Sequence, residues 1–358
     1  MKRNYYIFTP GRLRRKENTI FFVPFAEPAA DEDENLQNDI LLEAGTGDEE
    51  ESLPAKKAVL PLQDIESFYL MTDVSFNSRF MEFINSNQIP LHLFNRYGYY
   101  SGSFYPREYL LSGYLTVNQT EHYLDNEKRM KIARKFVVGA SKNLLKNLKY
   151  YNARERDLEA QITTIETLLP EIETVENITN LMNVEGQIRK VYYTGLNEIL
   201  SGMLNFTKRD FNPPTNPVNA LISFNNSLVY TLVLSEIYHT QLDATISFLH
   251  QPGERRFSLA LDLAEIFKPL IADRIMFKLL NKREIGKGDF EKKINGTYLK
   301  EKGRKKVIRE FDARLKTTVK HRQLKKPVSY RRLVRLECYK LIKHLLGEKE
   351  YEPFVIWW

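Results

Sequence analysis

The chain has 358 residues, 42% of them hydrophobic and 28% charged, and a formal net charge of +7, which is apolar material for about two ordinary domains. Its single cysteine, Cys338, excludes an internal disulfide and a cysteine-based metal cluster. No uninterrupted apolar run reaches the roughly 18 residues of a membrane span, and Pro10-Gly11 cuts short the only stretch resembling a signal peptide, so a soluble cytoplasmic protein without membrane attachment is expected.

In chain order, the first hundred residues read as short strands. Tyr5–Phe8, Thr19–Val23, Ala58–Leu62 and Ser67–Leu70 are aromatic or β-branched runs broken by turn residues. Asn77–Asn85 is predicted as a helix with Phe80, Phe83 and Ile84 inward. Ile89–Phe94 and Tyr99–Phe104 flank Asn95-Arg96-Tyr97-Gly98, a hairpin pattern. The acidic run inside this region, residues 26–55, holds eleven acids and no Lys or Arg; it has too little apolar surface to fold alone and reads as a disordered insertion. This gives a small β domain over residues 1–113, followed by a linker at 114–119.

Residues 120–346 are predicted to be helical, with a tail at 347–358. Ile132, Phe136, Val137, Ala140, Leu144, Leu148 and Tyr151 recur at helical spacing. Leu158–Leu169, Glu176–Leu200, Asn219–Leu249 and Phe257–Leu280 follow. The third of these is apolar on most faces and is expected at the centre. From Lys282 to Arg335 there are twenty basic residues against six acidic, a density that points to nucleic acid, the bland reading being a solvated face. Within it, Gly286–Gly303 reads as a mobile loop. Val307, Phe311, Leu315 and Val319 form the inner stripe of an amphipathic helix that leaves Arg304 and Lys305 on other faces. The apolar tail YEPFVIWW is expected to dock on its own domain.

Chemistry-bearing residues are few. Asp262 and Glu265 sit three apart in the apolar run after Pro252-Gly253, so they share a helical face, and His250 precedes the turn. Glu185 interrupts the apolar stripe Leu181, Ile188, Tyr192. A carboxylate in such a setting needs a cation or donors; for Glu185 alone the bland partner is Arg189 or Tyr193. Together, carboxylates and one imidazole suit Mg2+ or Mn2+, though acids on apolar helices are common. Glu236-x-x-His239 stands alone and reads as structural. Phosphate-loop, dinucleotide, zincin and nucleophile-elbow motifs are absent from the sequence.

Five blocks carry a family resemblance: IPLHLFNRYGYYSGSFYP (Ile89–Pro106), ARKFVVGASKNLLKNLKYY (Ala133–Tyr151), LMNVEGQIRKVYY (Leu181–Tyr193), NPVNALISFNNSLVYTLV (Asn216–Val233) and FLHQPGERRFSLALDLAEIFKP (Phe248–Pro269). In these the chain resembles CRISPR-associated protein one, the integrase and nuclease of CRISPR adaptation, in a form most similar to type I-B variants. The resemblance implies an α+β multidomain fold: an N-terminal β-sandwich-like domain that mediates homodimerisation, then a larger all-α catalytic domain. It implies a metal-dependent endonuclease and integrase of antiviral defence that inserts spacers by 3′-hydroxyl attack on repeat phosphodiesters. Glu185, His250 and Glu265 fall on the family's catalytic metal ligands, and Asp262 on a further acid near the site that is expected to assist as a metal ligand. Implied partners are double-stranded and branched DNA and the small ferredoxin-like CRISPR-associated protein two. DNA contacts are expected at Arg255, Arg256, Lys282, Arg283, Lys287, Lys292, Lys293, Arg304, Lys305 and Lys306. The alternative is a non-catalytic helical DNA-binding scaffold.

Overall fold

A computed structural model describes residues 2–25, 58–200, 204, 206, 208–210, 213–253 and 257–357. The acidic segment expected as an insertion at 26–55, and Arg255 and Arg256, lie outside the described residues. The chain divides into two compact units, Met1–Tyr109 and Leu110–Trp358.

The first unit is a β domain with one helix. Strands β1 (Arg3–Ile7), β2 (Gly11–Lys16), β3 (Thr19–Pro24), β4 (Ala58–Pro61), β5 (Ile65–Leu70), β6 (Val74–Ser75), β7 (Leu91–Phe94) and β8 (Tyr100–Phe104) form two sheets, ordered β1-β5-β7-β8 and β4-β3-β2-β6. Helix α1 (Ser78–Ser86) is capped by the Asn77 side chain, which accepts from the Phe80 amide. Its Phe80, Phe83 and Ile84 join Leu13, Ile20, Phe22 and Leu60 from one sheet and Ile7, Phe68, Leu70 and Leu91 from the other in a single core. Strands β2 and β6 were not anticipated. In β2 the sequence alternates correctly, but only Gly11 and Leu13 face inward and the rest is charged, so its apolar signal is one side chain.

His92 on β7 is fully buried, and its Nδ1 lies 2.7 Å from Ser103 Oγ on β8. Burial pushes this imidazole down to about 3. Between that value and the ordinary 6.5, the unfolded chain binds a proton that the folded one refuses, so stability is present above pH 6.5 and falls on acidification. The slope is about 1.4 kcal/mol for each pH unit in that window. Circular-dichroism melts from pH 7 to 4 should show this loss, and His92→Gln should flatten it; an unchanged slope in the variant would exclude the imidazole as its source.

The second unit is mainly helical: α2 (Gly113–Leu124), α3 (Asn126–Asn152), α4 (Glu159–Leu168), α5 (Glu171–Thr174), α6 (Ile178–Leu200), α7 (Pro217–Tyr238), α8 (Ser258–Phe267), α9 (Arg274–Asn281), α10 (Glu301–Lys316) and α11 (Tyr330–Leu345). Residues 114–119, expected as a linker, lie inside α2. Helix α7 is buried on nearly every face and packs against α8, α9 and α11. By length and composition alone it could cross a membrane, but 83% of its apolar window is buried within the fold. It stops at Tyr238, short of the predicted Leu249. Thr240 Oγ1 donates to the Ile237 carbonyl there, and Asp243 turns the chain by accepting from the Thr245 amide.

The expectation of an all-α second domain needs correction. Strands β9 (Phe290–Lys293) and β10 (Gly296–Leu299) form a two-residue hairpin where a mobile loop was expected, and β11 (Thr318–Lys320) pairs with β12 (Pro327–Ser329). The β-branched and aromatic run Thr297-Tyr298-Leu299 makes the first ribbon. Gly296 has φ +137°, and a Cβ there would meet Pro214 O at 2.8 Å, so the turn end of the hairpin seats directly on Pro213-Pro214. Thr317-Thr318-Val319 ends α10 and puts Val319 in a strand instead of the predicted helical stripe.

The tail docks on its own unit, as expected. Tyr351 OH and the Phe354 amide both donate to Glu337 Oε1, at 2.5 and 3.0 Å, and the Ile356 amide donates to Asn143 Oδ1 at 2.9 Å.

Candidate active site

Helix α8 organises the predicted site. Asp262 is fully buried on its inner face, and its two oxygens gather the preceding loop. Oδ2 accepts from the amides of Phe248 and Leu249 at 2.7 and 2.9 Å. Oδ1 accepts from the His250 amide at 2.9 Å and lies 2.7 Å from His250 Nδ1. Arg129 Nε holds the Phe248 carbonyl at 2.8 Å, and Ser247 Oγ holds that of His250 at 2.6 Å. The loop is thus pinned at both donors and acceptors, and the imidazole turns its Nε2 away from Asp262.

One helical turn further on, Glu265 is 7% exposed. Lys268 Nζ lies 2.7 Å from its Oε1. Arg189 on α6 contacts Glu185 one turn before it and also reaches across to Glu265. The bland partner expected for Glu185 is therefore present, but it is shared: one guanidinium joins the two acids from different helices. Asp262 and Glu265 are about 4.5 Å apart along the axis of α8, so the acid that holds His250 and the acid that shares Arg189 with Glu185 leave the same helix one turn apart. Among the described residues, no three His, Cys, Asp or Glu side chains converge as a preformed ion cage.

The pocket beside this cluster is lined by Arg189, Tyr192, Tyr193, Asn226, Glu265, Lys268 and Asp273. Asp273 comes from a π-helical turn, Pro269–Asp273, between α8 and α9. Tyr192 OH donates to its Oδ2 at 2.8 Å. Burial pushes the Asp273 carboxyl up to about 6, against that bond and the charges of Arg189 and Lys268. Burial, with Arg189 nearby, pushes the Lys268 ammonium down to about 7. Three buried asparagines clasp the turn: Asn143, Asn147 and Asn225 donate to the carbonyls of Ile266, Pro269 and Ala272 at 3.0, 2.8 and 3.1 Å. Arg314 Nη2 takes that of Leu270 at 3.0 Å. A wide turn misaligns helical carbonyls, and these side chains satisfy them.

The sequence reading missed Lys268 and Asp273. Lys268 carried a signal, an opposite charge three residues from Glu265; Asp273 carried none, because at ordinary helical pitch it points elsewhere. Of the expected DNA contacts, Lys282, Arg283, Lys287, Lys292 and Lys293 are exposed. Lys305 and Lys306 are half-buried against Glu301 and Asp289, at 3.1 and 2.8 Å. Arg304 is a correction: it is only 6% exposed, because it falls on the same inner stripe of α10 as Val307, Ile308 and Phe311.

A family model described as "CRISPR associated protein Cas1" matches residues 5–313. A protein named CRISPR-associated endonuclease Cas1 from Fusobacterium nucleatum is 46% identical over 358 residues, covering 100% of this chain and 98% of the relative. A solved Cas1 protein from Thermotoga maritima superposes with a TM-score of 0.80 at 36% identity, over 99% of this chain and 100% of that one. A casposase bound to integration product shares the fold, with a TM-score of 0.80 at 18% identity over 99% and 93% of the two chains.

Proposed function

Because the chain belongs to the CRISPR-associated protein Cas1 family, we propose that it cuts and joins DNA in CRISPR adaptation, at the cluster of Glu185, His250 and Glu265. The observation that carries this is the pairing of Glu185 and Glu265 through one shared cation, with an imidazole whose Nδ1 is committed to Asp262, one turn before Glu265 on α8. A carboxylate on the second nitrogen is the usual support of a metal-ligating histidine, and two carboxylates with one imidazole suit Mg2+ or Mn2+. Glu185, His250 and Glu265 would hold such an ion, which when bound would supply activation of the attacking hydroxyl and neutralisation of charge on the phosphodiester. Asp262 orients His250 and is itself consumed by the loop, so it is a positioning residue. Exposed Lys282, Arg283, Lys287, Lys292 and Lys293 grip the DNA backbone without reading bases. The β domain serves homodimerisation, and the small second CRISPR-associated protein completes a cytoplasmic complex.

The second reading, a scaffold that binds DNA without turnover, draws on Arg189 and Lys268, which can serve as purely structural partners for the acids. Chelator separates the two. Cleavage of branched DNA should require Mn2+ or Mg2+ and stop with EDTA, and saturating Mn2+ should raise the melting temperature, since it binds the folded chain. DNA binding indifferent to EDTA, with no cleavage and no thermal shift, would leave only the scaffold.

A further inference from the structure

Any divalent cation that settles on Glu185 and Glu265 must first displace the positive groups already there. Arg189 engages both carboxylates, and Lys268 Nζ is 2.7 Å from Glu265 Oε1. Both are largely withdrawn from water where they stand, their side chains being 23% and 17% exposed. A buried cation deprived of its carboxylate is strongly disfavoured, and the Arg189 guanidinium, charged at any working pH, therefore needs a second acceptor. The pocket contains one. Asp273 is 7% exposed, its Oδ2 is held by Tyr192 OH, and it already lies within the electrostatic reach of both cations. Glu265 and Asp273 are eight residues apart, which at 3.6 residues per turn would rotate Asp273 about 80° from Glu265. The wider π turn brings it back to the pocket that Glu265 also lines.

We propose that Asp273 is a standby counter-ion: when a divalent cation takes Glu185 and Glu265, Arg189 and Lys268 re-pair with Asp273. This rests on the reading of Glu185, His250 and Glu265 as metal ligands. Asp273 touches neither ion nor DNA and acts as a positioning residue. With all five groups ionised, Glu185, Glu265 and Asp273 against Arg189 and Lys268 sum to −1, which attracts a cation; a divalent ion would turn the sum to +1, which attracts a phosphodiester.

Isothermal titration of Mn2+ into the intact DNA-free protein tests this, using wild type, Asp273→Asn, Lys268→Met and the double variant. Asp273→Asn should raise the Mn2+ Kd about tenfold, within the usual range of site–site coupling. Lys268→Met removes a competing cation; alone it should tighten Mn2+ binding, and in the Asp273→Asn background it should recover most of the lost affinity. An Asp273→Asn Kd within about twofold of wild type overturns the proposal, and so does a loss that Lys268→Met fails to rescue, which would mark Asp273 as merely structural. If Asp273→Asn does not fold, Lys268→Met decides alone: unchanged or weaker Mn2+ binding overturns the proposal. A wild-type protein that binds no Mn2+ removes the metal reading itself, a distinct result.

Discussion

Glu265→Gln is expected to lower Mn2+-dependent cleavage of branched DNA by about 10³-fold or more, with helical content retained. The amide keeps the shape of the side chain and can still accept from Lys268, but it removes the negative charge that α8 and α6 share through Arg189. Ion-borne stabilisation of a phosphodiester transition state is worth several kcal/mol, and each 1.4 kcal/mol is about tenfold in rate. Glu265→Ala should be equally inactive but less stable, because it takes away the acceptor shared by Lys268 and Arg189 and opens a space where the side chain stood. Single-turnover cleavage rates alongside melting curves check both effects. Activity in Glu265→Gln above about one-tenth of wild type would show that the charge is not used in the reaction.

The largest loss of stability is expected from Asp262→Ala, about 3–5 kcal/mol. The substitution strips the acceptor from three backbone amides and from His250 Nδ1 at a position with no access to water. Each orphaned buried donor costs about 1–3 kcal/mol. In a unit of this size that is about 10 °C or more in melting temperature. Asp262→Asn should be intermediate: its oxygen can still accept, but its amide confronts a second set of N–H donors. Activity should fall in both, since the His250 ring loses its tether. Differential scanning calorimetry decides, and a shift of only a few degrees in Asp262→Ala would mean the loop is held by other contacts.

The parts legible in the sequence were those written in local periodicity. The stripe from Ile132 to Leu148 lies buried on α3, and Phe80, Phe83 and Ile84 face the β core where their spacing placed them. The acids on α6 and α8 stood out because carboxylates are costly among apolar neighbours. Other features were set by partners distant in the chain. Strand β2 depends on β3 and β6 and shows one inward side chain of its own beyond a glycine. Arg304 was assigned to the surface by its charge, although the α10 stripe turns it inward. Asp273 could not be placed at the site without the π turn. Its causes, Pro269 and asparagines on α3 and α7, are spread over more than a hundred residues.

That turn gives the chain a tolerance in length. Substitutions along Pro269–Asp273 alter one side chain at a time, and the asparagine clasp still holds the neighbouring carbonyls. Losing a single codon here would let α8 and α9 merge into one regular helix. Asp273 would then follow Glu265 by seven residues, about 20° from alignment around the axis, so it would stay on the face that lines the pocket. A reading frame one codon longer would instead turn everything beyond it by about 100°, encoding every residue of the site yet no longer bringing them together.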